Sequence, residues 1–409
     1  MTEREKNYLR ELAYQQKEMA NLPVMEKRKE LWYLHNELRG VRPMVVLEEE
    51  TFLDEILPPL QCENADAQRM ERQLLKTMLP QQIFQDDKVV TEDFLIDVQI
   101  ENRLFNVDMK KKFASDGIGY HIEPIIETLE EDMGKLGDSG FINHKEETER
   151  RVVIAQETFG DILNVKLQNS MNQWEFSLTE KIVWLMGMEN MFCSMVTEED
   201  DFHQLMEKLV MEMIRFLRWQ EKEGVLFLNN GNDYMGSGSY CFSKELPGED
   251  YKGKVLSRHL WGHMNSQESI GISPEMYHEF IAPYFSKMAE EFGLLYYGCC
   301  EPVELYWHRD ISKYAHLRKV SISPWCNEEM MAERLSGGKV IYSRKPSPNF
   351  LGVQKEFDEE KFRKYIRHTA ELTKECHTEY IFRDIYKLHG NKEKLARAVK
   401  IVREETENS

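Results

Sequence analysis

Two adjacent cysteines followed by a carboxylate, Cys299-Cys300-Glu301, are the most reactive grouping in the sequence. They offer two soft sulfur donors and one oxygen donor, a candidate zinc ligand set. Zinc lowers the pKa of a bound thiol and holds the thiolate as a methyl acceptor, or polarises a departing methylated oxygen. The competing reading is that one of the two packs beneath a sheet, since free cysteine is among the most buried residue types. Cys326 follows a different strand end and is a possible further ligand. Cys376 precedes a strand, which puts it on the opposite, stabilising face. Three proton-handling groups accompany the thiols. His263 is a ligand, a general acid or a hydrogen-bonded structural residue. Glu268, within Ser266-Gln267-Glu268-Ser269, is a catalytic carboxylate or a helix cap, and Asp384 follows the last strand.

A second set of side chains suits substrate binding. Trp261, Tyr297 and Trp325, with Tyr296 and Trp307, could grip a flat or quaternary-ammonium methyl donor, or simply fill the core. Arg344-Lys345 could hold a carboxylate or phosphate, or form a solvated basic turn. Asp233 and Tyr234 lie in a loop whose glycines allow close backbone approach to a ligand. That loop folds over a pocket or is merely mobile.

These residues share one placement: each set follows a short apolar run. Expected strands are Met44–Leu47, Phe94–Ile100, Val225–Asn229, Leu256–Trp261, Leu294–Tyr297, Leu317–Ser323, Lys339–Ser343 and Thr378–Arg383. Helical spacing covers Pro124–Lys135, His144–Asp161, Asp200–Glu223, Pro274–Phe292, Glu328–Leu335, Glu356–Glu375 and Lys392–Glu404. Strands alternating with amphipathic helices imply a parallel sheet, closed as a barrel or open and doubly wound. No GxGxxG or GxxxxGK[ST] follows a strand, which weakens the nucleotide-binding version. The barrel version puts working residues at the C-terminal strand ends. Residues 3–40 read as two charged helices broken at Asn21-Leu22-Pro23, a cap on the body or a docking surface, with a homodimer as one use. The expected organisation is a helical cap over 1–40 and a barrel over 41–409.

Bulk properties narrow the partners. The 409 residues carry a net charge of −19, which disfavours nucleic acid. No apolar run approaches the roughly 20 residues that span a bilayer. The charged N-terminus lacks a signal peptide, pointing to the cytoplasm. Seven cysteines, an odd number with two adjacent, fit reduced thiols in such a compartment.

Three stretches carry a family resemblance: Tyr296-Tyr-Gly-Cys-Cys-Glu-Pro302, Lys319-Val-Ser-Ile-Ser-Pro-Trp325 and Ser343-Arg-Lys-Pro-Ser-Pro348. With His259 to Tyr284 and Glu379 to Asp384, they resemble the uroporphyrinogen decarboxylase superfamily of anaerobic bacteria, from about Val225 onward. The resemblance implies an α/β fold, a (β/α)₈ TIM barrel with an N-terminal helical extension. It also implies one of two activities. Porphyrinogen decarboxylases of the family carry an arginine-rich N-terminal segment, whereas Gly40 to Glu50 here turns acidic. The other branch comprises zinc-dependent methyltransferases that work with corrinoid proteins and place a His-x-Cys pair after a strand. This chain has Tyr297-Gly298-Cys299 there. The resemblance therefore favours methyl transfer between a small methylated substrate and a corrinoid protein or thiol, with zinc and a corrinoid carried by the partner as cofactors. A cofactor-free lyase using Asp233, Glu268 or Asp384, or an inactive ligand-binding barrel, are the alternatives.

Overall fold

The computed structural model describes residues 1–109, 111–113 and 120–407. Its framework is eight strands in parallel pairs, numbered here in chain order: β1 (Met44–Leu47), β2 (Asp93–Asp97), β3 (Asn164–Gln168), β4 (Trp261–Met264), β5 (Leu294–Tyr297), β6 (Leu317–Ile322), β7 (Ile341–Arg344) and β8 (Thr378–Phe382). Six of them form one sheet in the order β1-β8-β7-β6-β5-β4, while β2 and β3 pair separately. The chain is thus α/β with a six-stranded parallel sheet, an arrangement compatible with a barrel.

The strands explain their own setting. Every residue of β1, β4, β5, β7 and β8 is buried, as expected of parallel strands covered on both faces. β2 alternates instead: Phe94 and Ile96 pack with Phe159 in a hydrophobic cluster, and Asp93, Leu95 and Asp97 turn to the other side. The helices between the strands start where their caps dictate. Ser273, Asn327 and Asp358 each accept a backbone N–H at the first turns of Pro274–Phe280, Glu328–Leu335 and Glu359–Leu372.

The N-terminal helices, Glu3–Ala20 and Pro23–Asn36, split at the expected place. They are bound to the body by buried polar links. Trp32 Nε1 donates to Asp87 O at 2.8 Å, Asn36 Nδ2 donates to the carbonyls of Tyr240 and Phe242, and His35 Nε2 meets Glu379 at 3.1 Å. Among the described residues no helix is long and apolar enough to cross a membrane.

Several expected elements differ. Val225–Asn229 is not a strand: side-chain amides take the place of ladder partners, with Asn169 donating to Val225 O and Asn229 bracketing the Trp261 N–H and C=O. Leu256–Trp261 is mostly a short 3₁₀ turn, and the strand begins only at Trp261. The helix expected over Pro274–Phe292 is two, broken at Ile281 because Pro283 supplies no N–H. Within Pro124–Lys135 only Leu129–Asp132 is α-helical, with a 3₁₀ turn after it.

Candidate active site

β5 ends at Tyr297, and Gly298 turns the chain sharply at φ +97°. A Cβ there would fall 3.2 Å from Ser321 Cβ on β6, so only glycine suits both the backbone and the space. The turn places Cys299 Sγ 3.6 Å from Cys300 Sγ and 3.6 Å from Nη1 of Arg383, the residue just after β8. Arg383 Nε donates to Glu48 Oε2 at 2.7 Å beyond the end of β1, and its guanidinium lies 5.2 Å from the Trp174 ring centroid. Tyr234 donates its hydroxyl to the other Glu48 oxygen. Strand ends of β1, β5 and β8 thus converge on one cluster.

The electrostatics follow from these contacts. The hydrogen bond from Cys300 lowers the Cys299 thiol pKa, burial opposes it, and the Arg383 cation lowers it further. Cys300 moves the other way, raised by the same hydrogen bond and by burial. Burial works against the charge on Arg383, but Tyr234, Glu48 and Cys299 outweigh it and raise its pKa. Asp384 holds φ +58°, left-handed for a residue with a Cβ, and burial raises its carboxyl pKa. Such a conformation costs on the order of 1 kcal/mol and tends to occur at functional sites.

The expected zinc ligand set does not assemble. Glu301 is fully buried, one oxygen accepting Ser266 N–H at 2.8 Å and the other Cys299 N–H at 2.9 Å. It fixes the turn instead of facing a metal with the sulfurs. Cys326 sits 3.5 Å from Ser323 Oγ in its own loop, and Cys376 lies near Ala332 O among the outer helices. Among the described residues no three His, Cys, Asp or Glu side chains are grouped to hold a metal ion. The donors present do not fit zinc.

Beneath the rim runs a column of buried polar groups. Glu379 on β8 receives Lys319 Nζ at 3.1 Å, Ser239 Oγ at 2.9 Å and Ser343 Oγ at 2.6 Å, besides meeting His35. Ser343 joins Tyr296, and Lys345 Nζ donates to the Tyr296 hydroxyl at 2.5 Å and to Ser343 Oγ at 2.8 Å. Burial pushes the Lys345 ammonium down to about 7.

A cavity of about 950 Å³ opens beside the rim cluster, reached from both β1 and β2. Glu48, Trp174, Tyr234 and Arg383 line it, as do Asp233 and Trp261. Gly231 N–H donates to Asp233 at 3.0 Å, and burial pushes that carboxyl up to about 6. Three of the expected binding residues, Asp233, Tyr234 and Trp261, therefore share one cavity.

The other candidates do not. Tyr297 points into the helix layer, its hydroxyl among Ser266 and Tyr277, because successive strand residues face opposite sides. Its neighbour Tyr296 takes the inward place. Arg344 is likewise turned outward, bonded to the Ser323 carbonyl, Glu328 and the Tyr365 hydroxyl. Trp325 is 73% exposed on its loop, and Lys345 belongs to the interior column. Glu268 accepts the Thr179 hydroxyl at 2.8 Å, with its carboxyl pKa raised by burial. Glu48, Trp174 and Arg383 were not among the expected site residues. Glu48 opens the acidic run after β1 and Arg383 directly precedes Asp384; both positions follow a strand end.

His263 is buried between backbone carbonyls, Nδ1 2.9 Å from Gln173 O and Nε2 3.3 Å from Gly298 O. Burial pushes its pKa from 6.5 down to about 4, so it is neutral and structural at neutral pH. The unfolded chain takes up this proton below pH 6.5 and the folded chain resists until about 4. Its contribution is therefore intact above the first value and lost on descent to the second, on the order of 3 kcal/mol. Urea unfolding between pH 7 and pH 4 is expected to show a shallower loss for His263→Gln than for the parent. Equal slopes would assign the acid sensitivity to other groups.

No family model matches the sequence, and no curated protein matches it. Among solved structures the fold is similar to a methyltransferase from Methanosarcina mazei, with a TM-score of 0.52 over 91% of this chain and 98% of that one, at 10% identity. That likeness concerns the fold.

Proposed function

We propose that the protein is a methyltransferase of the uroporphyrinogen decarboxylase superfamily, its parallel strands forming a (β/α)₈ barrel. It moves a methyl group between a small methylated substrate, or a corrinoid protein charged by one, and a thiol. The carrying observation is the Cys299 thiol held against Arg383, which itself lines the cavity. The sequence motifs and the fold likeness to a methyltransferase support the same reading.

In this reading Cys299 is the base. An acceptor thiol enters the cavity next to Arg383, and its proton passes to the Cys299 thiolate as its sulfur attacks the methyl carbon. The new S–C bond forms as the donor–carbon bond breaks, and the electron pair leaves with the donor. The Cys300 hydrogen bond and the Arg383 cation lower the Cys299 pKa, which favours the thiolate that takes up the proton. Arg383 stabilises the sulfur anion, and Trp174 shields it from water. A corrinoid bound by a partner protein would supply the methyl group, with Arg383 and Trp174 holding the acceptor sulfur in place to receive it. The thiols and the cation already present do this without zinc.

Methylcobalamin with 2-mercaptoethanol tests the assignment through the colour change on demethylation. The protein is expected to accelerate it, and Cys299→Ser to reduce the rate by roughly a hundredfold, within the range of general-base effects. An uncatalysed rate with the parent protein, or an undiminished one with Cys299→Ser, would rule the reading out.

A further inference from the structure

Cys299 and Cys300 are joined by one peptide bond and hold their sulfurs 3.6 Å apart. Cys300 is partly exposed, and Cys299, though buried at 9% exposure, is less enclosed than Cys241 at 0%. Neighbouring Cα atoms lie about 3.8 Å apart, less than the roughly 4.4–6.8 Å spanned by most disulfides. A bond between adjacent cysteines therefore closes a strained eight-membered ring and is readily reduced. Such a pair makes a poor permanent brace and a good reversible one. Arg383 stands 3.6 Å from Cys299 Sγ, where it faces the charge that sulfur carries during exchange.

We propose that Cys299 and Cys300 close into a reversible vicinal disulfide by exchange with a small-molecule disulfide, and that closure switches off the methyl-transfer site. Cys299 sulfur attacks the incoming disulfide, giving a mixed disulfide and releasing one thiol. Cys300 then gives up its proton, attacks Cys299 sulfur and releases the second thiol. Two protein thiols are oxidised and one small disulfide is reduced to two thiols. In the closed form Cys299 has no thiolate to take a proton. The regulatory consequence rests on the function proposed above; the exchange chemistry does not.

Full-length protein treated with glutathione disulfide and mapped by peptide mass spectrometry tests this. The Cys299–Cys300 peptide is expected to lose two hydrogens and carry no glutathione, reversibly with dithiothreitol. Cys300→Ser should retain glutathione on Cys299, since nothing resolves the mixed disulfide. Cys193, exposed on its helix, takes glutathione in both proteins and reports that exchange ran. Glutathione accumulating on the parent pair, or both thiols remaining free while Cys193 is modified, would overturn the proposal. Methylcobalamin demethylation should fall at least tenfold in the closed form and return on reduction; an unchanged rate would overturn the switch. Disulfide closure in a protein that demethylates nothing in either state would refute the methyltransferase reading and leave the exchange site standing.

Discussion

Arg383→Leu is expected to lose stability and thiol reactivity together. Arg383 and Glu48 are paired at 2.7 Å with only 14% and 11% of their side chains exposed. Removing one partner of a buried pair strands the other charge, a loss of about 3–5 kcal/mol. The same substitution removes the cation beside Cys299, whose thiol pKa should rise. Iodoacetamide alkylation at Cys299, followed against pH, should then reach its midpoint at higher pH. The double variant Arg383→Leu/Glu48→Leu separates the effects. It should regain much of the stability, because no charge is left alone, yet keep the sluggish thiol. Equal thiol titration in parent and both variants would mean that Arg383 has no hold on the sulfur.

The second large effect lies deeper. Lys319→Met removes the ammonium that sits 3.1 Å from Glu379 and 2.6 Å from Ser239 Oγ, both acidic and basic side chains being about 1% exposed or less. Burial alone would raise the Glu379 carboxyl; Lys319, His35 and Lys345 together hold it far below its ordinary range. The variant is expected to unfold about 3–5 kcal/mol earlier in urea. Lys319→Met/Glu379→Met should lose less than the single variant, since the pair leaves together and the coupling becomes visible in the double-mutant cycle. A double variant as unstable as the sum of two single ones would show that the charges act independently.

How much of this was legible in the sequence depends on which physical signal each part carries. Fully buried parallel strands announce themselves as apolar runs, so β1, β5 and β8 were found nearly to the residue. β2 was placed but overextended, and β3, Asn-Val-Lys-Leu-Gln, was missed because it is half exposed and reads as polar. Val225–Asn229 looked like a strand because apolar character reports burial, not hydrogen-bond partners. In the site, the rim position of Cys299, Cys300 and Asp384 was readable from their place after strands. Which way a side chain points was not. Tyr296 and Tyr297 are adjacent and identical, and only strand phase decides that one faces the interior column and the other the helices. The role of Glu301 was hidden for a related reason: its partners are backbone N–H groups of Ser266 and Cys299, which leave no mark in residue types. Glu48 and Trp174 meet Arg383 from more than 200 residues away in sequence, and no local pattern foretells that.

The separation of β2 and β3 from the six-stranded sheet bears on motion. Main-chain ladders join β4 through β8 to β1, but among the described residues none bridges β1 to β2 or β3 to β4. A shift of the two-stranded ribbon, with Ala65–Ile83 and Lys145–Phe159 packed on it, would break no ladder to the six-stranded sheet. Because Asp93, Leu95 and Asp97 form one wall of the void, such a shift changes its width directly. Breathing of this flank would then meter the size of molecule admitted, while the thiol rim, anchored across the unbroken sheet, keeps its shape.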